Sequence, residues 1–183
     1  LEKVPKHVIV VLDEAYYEFV TDEQYPNGVD YIKKGHNVIV LRTFSKLYGV
    51  AGLRVGYTLG RKELINGMNK VREAFSVSRI AQVGALASLN DETHKEKTLE
   101  TIKEGKAYLY ATFDKMGIAY IPSHTNFIFL DLKRDSQEVF EYLAKQGVLI
   151  RPGNQFGSDT FIRVTIGTMD ENRKFITALQ KLI

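Results

Sequence analysis

The sequence predicts an α/β fold, and three observations carry that expectation. Short apolar runs rich in β-branched residues, Val8 to Leu12 and Asn37 to Leu41, read as buried strands that end in polar turns. A helical pattern lies beyond them from Arg61 to Phe75, with Leu64, Ile65, Met68 and Val71 on one face. After about residue 91, helices alternate with a few strands, which suits a second, two-layer α/β subdomain. The expected division is therefore 1–90 and 91–183.

Composition narrows the possible functions. The 183 residues are enough for one domain or two small ones. An apolar share of 44% and a charged share of 26% are ordinary for a globular chain. The net charge of +3 comes from 25 basic and 22 acidic residues spread evenly, so no basic patch points to nucleic acid. The absence of cysteine excludes disulfides, thiolate metal sites and a cysteine nucleophile, and it suits a reducing cytoplasm. No apolar run approaches the ~20 residues of a membrane-spanning helix.

The first strand, His7 to Leu12, delivers Asp13-Glu14-Ala15-Tyr16 to its C-terminal end. In open α/β sheets that edge is where ligands bind. A carboxylate there can hold a cationic ring nitrogen in its charged form, and Tyr16 can reach the same ligand. The alternative is that Asp13 or Glu14 merely caps the next element. A strand so near Leu1 reads as the back part of a longer polypeptide. The stretch from Thr21 to Lys34, with Pro26-Asn27-Gly28, is a loop or short helix.

The second strand runs into Thr43-Phe44-Ser45-Lys46-Leu47-Tyr48-Gly49. A lysine at such an edge can become a nucleophilic amine when desolvated. Arg54, eight residues on, offers a planar fork suited to phosphate. Taken alone, Lys46 reads as a solvated surface residue; its spacing to the other motifs argues otherwise.

Val55 to Leu59 follows as a short strand. The alanine-rich segment Arg79 to Asn90 is apolar on most sides and reads as a buried helix. Arg79 at its start either approaches a phosphate or makes a surface ion pair. Glu92 to Met116 is a long helix whose stripe of Leu99, Ile102, Leu109, Phe113 and Met116 is core. Strands are expected at Ile118 to Ile121, Phe127 to Leu132, Val148 to Arg151 and Phe161 to Ile166. A helix from Ser136 to Gln146 closes at Gly147, and Thr168-Met169-Asp170-Glu171 has capping-box spacing for the last one.

Arg163 lies mid-strand on the face opposite Ile162 and Val164. Burying a guanidinium without an anion is costly, so a carboxylate of the protein or of a substrate must meet it. Arg151 ends the preceding strand, before Pro152-Gly153. Other chemistries find little support. The four histidines lack metal-ligand spacing, no glycine-rich nucleotide cradle follows the first strand, and Ser45 has no nucleophile elbow around it.

Together, Asp13-Glu14-Ala15-Tyr16, then Ser45-Lys46 with Arg54, then Arg163 resemble the fold-type-I pyridoxal-phosphate aminotransferases of class I/II. Arg42-Thr43-Phe44-Ser45-Lys46, Ala51-Gly52-Leu53-Arg54-Val55-Gly56-Tyr57 and Arg163-Val164-Thr165-Ile166-Gly167-Thr168 are most similar to the histidinol-phosphate aminotransferase branch. Aromatic aminotransferases and threonine-phosphate decarboxylases share much of this pattern. A non-enzymatic α/β binding module has no reason to keep the joint spacing.

The resemblance implies pyridoxal 5'-phosphate as cofactor and part of a large domain with a mostly parallel sheet, followed by a small C-terminal domain. It implies that Lys46 attaches the cofactor and moves the substrate proton, and that Asp13 pairs with the ring nitrogen. Tyr16 would bond the ring oxygen, and Ser45 and Arg54 would hold the phosphate. Arg163 would bind the substrate carboxylate and Arg151 the phosphate of the substrate side chain. No metal is implied. The implied reaction is amino transfer between L-histidinol phosphate and 2-oxoglutarate in histidine biosynthesis. It takes small amino-acid and keto-acid substrates and occurs in a cytoplasmic homodimer, with no nucleic acid or membrane partner. The family's glycine-rich loop and ring-stacking aromatic lie upstream of Asp13 and are not in these residues. The chain is therefore expected to be inactive alone and to expose an apolar patch.

Overall fold

Three consecutive apolar residues, Val38, Ile39 and Val40, are the most deeply buried part of the N-terminal half, at 0%, 8% and 0% exposure. They belong to β2 (Val38–Thr43), the central strand of a three-stranded sheet ordered β1-β2-β3. The computed structural model describes residues 1 and 3–183, which divide into two compact units, Leu1–Lys95 and Glu96–Ile183.

In the first unit β1 (Val10–Asp13) runs parallel to β2 with Val10 opposite Val38 and Asp13 opposite Leu41. β3 (Gly56–Gly60) runs antiparallel on the other side, Thr43 facing Gly56. The sheet is therefore mixed, where a mostly parallel one was expected. No α-helix lies between β2 and β3 to make the crossover that a parallel pair needs.

A second difference concerns β1. It starts at Val10, and Val8, Ile9 and Val11 are exposed where a buried strand was expected. The strand lies at the sheet edge with one neighbour. An apolar run reports how hydrophobic a strand is, not how many strands flank it.

The Thr21 to Lys34 stretch contains α1 (Gly28–Lys33), capped by Asn27, whose side-chain oxygen accepts the Val29 N–H at 3.0 Å. The next helix, α2 (Lys62–Val71), stops short of the expected Phe75 because Arg72 is extended. Phe75 itself stands 98% exposed with φ +60°. In α3 (Arg79–Leu89) only Ala81 and Ala85 are buried, while Ile80, Val83 and Leu86 are exposed. The helix expected to be buried thus packs through a narrow alanine stripe and shows an apolar patch outward. Its start is capped by Ser78, which accepts the Ala81 N–H at 3.1 Å.

The second unit begins within α4 (Glu92–Met116), whose bounds match the sequence expectation. Its sheet is antiparallel throughout, in the order β4-β5-β7-β6: β4 (Ala119–Ile121), β5 (Phe127–Asp131), β7 (Phe161–Thr165) and β6 (Arg151–Pro152). One face of the central pair is core: Ile128 opposite Val164, and Leu130 opposite Ile162, all buried. Leu109 and Phe113 of α4 are buried with it. So are Val139 and Leu143 of α5 (Ser136–Lys145), and Phe175 and Leu179 of α6 (Met169–Gln180).

β6 is two residues long where four were expected. Pro152 has no N–H to continue the ladder, so the strand stays short and at the edge. The capping box on α6 is complete, Thr168 and Glu171 each bonding the other's backbone N–H. Those hydrogen bonds from the Thr168 backbone and hydroxyl hold the Glu171 carboxyl below its ordinary pKa.

Candidate active site

Because β1 and β2 are parallel, both C-terminal ends point to the same edge. The antiparallel β3 starts there too, immediately after Arg54. Asp13, Thr43, Ser45, Lys46 and Arg54 consequently line one opening of about 300 Å³. Four of the residues expected to meet a ligand are thus brought together at the strand ends.

Local hydrogen bonds and anchors shape this edge. The Ala15 N–H donates to Asp13 Oδ1 at 3.0 Å, turning the chain out of β1. The Ser45 N–H donates to Thr43 Oγ1 at 3.0 Å, doing the same after β2. Phe44 and Leu47 flank the polar pair and are buried, while Ser45 and Lys46 between them stay half-buried. Phe44 packs on Tyr48 and Tyr57, with ring centroids 5.1 and 5.7 Å away. His94 Nε2 lies 3.1 Å from the Leu47 carbonyl and holds the turn from behind.

Arg54 adopts the left-handed backbone region, φ +53°, which a bulky residue occupies at a cost. Its own guanidinium donates to the Ala51 carbonyl at 2.9 Å and supports that conformation. The amine of Lys46 lies over the Tyr16 ring, 5.2 Å from the centroid. Tyr16 is therefore at the site through its ring face. Among the described residues, no ion pair joins Asp13 and Lys46 although both line the same opening. A group can stand between them.

Arg151 and Arg163 belong to the second unit. They are register partners across β6 and β7, so both side chains share a face. The Arg163 guanidinium lies 4.9 Å from the Phe127 ring centroid and 5.6 Å from that of Phe156. Arg151 NH1 donates to Gln155 Oε1 at 3.1 Å. Among the described residues neither arginine meets a carboxylate, so the protein supplies no ion pair for Arg163. Arg79 makes no ion pair either; it is exposed beside Leu53, Ile80 and Val83.

Sequence reasoning missed the pair of Glu14 and Arg42, the second of which also lines the opening. Glu14 is 4% exposed and accepts from Arg42 Nε at 3.0 Å and NH2 at 2.8 Å. Burial pulls the Arg42 pKa down, but hydrogen bonds to Glu14 and Tyr57 outweigh it and the net direction is up. The nearby Glu18 carboxyl is pushed up by burial, against the opposing pull of Arg42. The signal was available: Arg42 is a charge inside an apolar strand, the same signature that singled out Arg163.

Among the described residues, no group of three or more acidic or histidine side chains is placed to hold a metal ion. Among the same residues no helix is long and apolar enough to cross a membrane.

The model of the aminotransferase class I and II family matches residues 1–179. Histidinol-phosphate aminotransferase of Moorella thermoacetica is 53% identical over the whole of this chain, which covers 48% of that protein. The Brevibacillus brevis protein of the same name is 45% identical, again over the whole chain and 50% of its own length. A crystal structure of histidinol-phosphate aminotransferase from Sinorhizobium meliloti, in complex with pyridoxal-5'-phosphate, matches with a TM-score of 0.87 at 29% identity. It covers 100% of this chain and 51% of that one. The chain spans about half the length of the curated relatives it matches.

Proposed function

The chain belongs to the aminotransferase class I and II family, and on that premise we propose that the whole protein transfers an amino group between L-histidinol phosphate and 2-oxoglutarate with pyridoxal 5'-phosphate. The observation that carries the reading is the shared opening of Asp13 and Lys46, with Ser45 and Arg54 beside them and no ion pair between the first two. The donor set fits the cofactor: an amine for its carbonyl, a carboxylate for a cationic ring nitrogen, and a hydroxyl and a guanidinium for its phosphate. When bound, the cofactor acts as an electron sink for the bond broken at the substrate Cα.

Each residue then has one task. Lys46 would hold the cofactor through its carbonyl, and as a free amine it would carry the proton from the substrate Cα. Asp13 keeps the ring nitrogen protonated, since an opposite charge at hydrogen-bond range favours the charged form. Ser45 and Arg54 hold the phosphate, and the left-handed turn at Arg54 aims the guanidinium. Tyr16 bonds the ring oxygen and confines the Lys46 amine. Arg163 binds the carboxylate of 2-oxoglutarate or glutamate and Arg151 the phosphate of histidinol phosphate, which has no carboxylate of its own, a reading supported by the absence, among the described residues, of a carboxylate paired with either arginine. Residues 1–90 and 91–183 correspond on this reading to part of a cofactor domain and a small domain.

We also read the whole protein as a cytoplasmic homodimer acting on small molecules. The cysteine-free composition and the exposed apolar residues Ile80, Val83 and Leu86 of α3 support that reading. The deciding experiment offers L-histidinol phosphate, aromatic amino acids and O-phosphothreonine to the whole protein with 2-oxoglutarate. The expected result is the highest kcat/KM for histidinol phosphate. Preference for an aromatic amino acid, or release of carbon dioxide from phosphothreonine, overturns the substrate assignment.

A further inference from the structure

We propose that Glu14 and Arg42 are a positioning pair, locking together the two strand ends that carry Asp13 and Lys46. The inference rests on the cofactor roles just given to those two residues. Asp13 and Leu41 are the last register partners of β1 and β2, and the Glu14 N–H donates to the Leu41 carbonyl at 2.9 Å. Beyond it, among the described residues, no backbone hydrogen bond joins the turn after β1 to the turn after β2. Side chains take over there. The Arg42 fork grips Glu14 Oε2, while Glu14 Oε1 accepts the Gly28 N–H at 2.8 Å at the start of α1. The guanidinium also lies over the Tyr17 ring, 4.2 Å from its centroid, with NH2 3.4 Å from Asn27 Oδ1.

Stability alone does not account for such a pair. The side chains of Glu14 and Arg42 are 3% and 15% exposed, and desolvating two charges offsets most of their attraction. Apolar residues of similar volume stabilise such a site as well or better. They lack direction, however. A two-pronged fork onto one carboxylate fixes both distance and angle, and only in one strand register. Side chains alternate across a strand, so Glu14 and Arg42 work from the face opposite Asp13. Glu14 braces the strand ends from that face, and Arg42, held by it, also lines the opening.

The test uses the whole protein stripped of cofactor. Glu14→Leu combined with Arg42→Leu should still melt cooperatively, lowered by no more than the cost of leaving the buried Gly28 N–H without its acceptor. It should nonetheless bind pyridoxal phosphate about tenfold more weakly, because small misplacements are costly at a preorganised site. The Ser45 amide should exchange hydrogen faster by a similar factor. Arg42→Lys, which keeps the charge and loses the fork, should show the same two effects in weaker form. If the double variant folds and keeps normal cofactor affinity and Ser45 exchange, the proposal is overturned. If it does not fold, Arg42→Lys decides: unchanged affinity and exchange overturn the proposal equally. Lys46→Ala separates the premise. Should that variant retain normal cofactor attachment, the cofactor reading fails whatever the pair does; should it lose attachment while the pair variants behave normally, only the positioning role fails.

Discussion

Arg151 and Arg163 face each other across the β6–β7 ladder, and among the described residues no carboxylate pairs with either. Directly opposed like charges on one sheet face are destabilising. The arrangement is retained with aromatic faces beside Arg163 and an amide beside Arg151, which leaves both guanidiniums available to an anion.

Arg163→Ala should accordingly weaken the binding of the carboxylate-bearing substrates, glutamate and 2-oxoglutarate, by about 1.5–3 kcal/mol, the loss of a hydrogen bond to a charged group. Arg151→Gln should weaken only the phosphate-bearing donor and should leave fold stability unchanged or slightly raised. Steady-state KM values for each substrate, with a thermal melt of both variants, check this. Equal loss toward all substrates from Arg151→Gln would contradict the split.

Lys46→Ala in the whole protein should abolish the visible absorbance of lysine-bound cofactor and nearly all turnover. Lys46→Arg should do the same, since a guanidinium does not give up its proton to act as the attacking amine. Absorbance spectra of the purified variants are the measurement. Normal absorbance and turnover in Lys46→Ala would remove the central residue of the assignment.

Asp13→Ala should leave the cofactor attached yet slow proton removal from the substrate Cα. Without the carboxylate the ring nitrogen loses the interaction that favours its charged form, typically worth 1–3 pKa units. Single-turnover kinetics with Cα-deuterated substrate should therefore show a larger isotope effect than in the unsubstituted protein.

Gly28→Ala should destabilise the first unit. A Cβ there would collide with Glu14 Oε1 and come within 2.7 Å of Val40 Cγ2, both buried. Overpacking of this kind typically costs about 1–3 kcal/mol. Urea denaturation of the variant gives the number, and an unchanged midpoint would show that the contact relaxes freely.

The α6 cap makes stability depend on pH. Glu171 has a lowered pKa in the folded protein, so its contribution is present above the unfolded carboxyl pKa and fades as pH falls through the folded value. Glu171→Gln keeps the capping shape without the charge. The stability gap between it and the unsubstituted protein should be open at neutral pH and close on acidification below the carboxylate range. Urea midpoints across that range would show it, and a gap independent of pH would contradict it.

The sequence by itself determined the local elements and the chemistry. Apolar runs and capping residues placed β2, α4 and α6 to within a residue or two, because hydrophobic period and the Thr168–Glu171 spacing act within one turn or strand. It also placed Asp13, Lys46 and Arg54 at strand ends, since a polar turn after an apolar run is a local pattern. What the tertiary structure decided was everything set by neighbours. Strand order made β1 an edge and β3 antiparallel, so that three strand termini rather than two supply the opening. The outward apolar face of α3 depended on which side met the rest of the unit, a fact that composition does not carry. The partnership of Glu14 with Arg42, 28 residues apart, formed only when two strands aligned in register. Burial and pairing are properties of what a residue meets, and the chain meets itself only once it has folded.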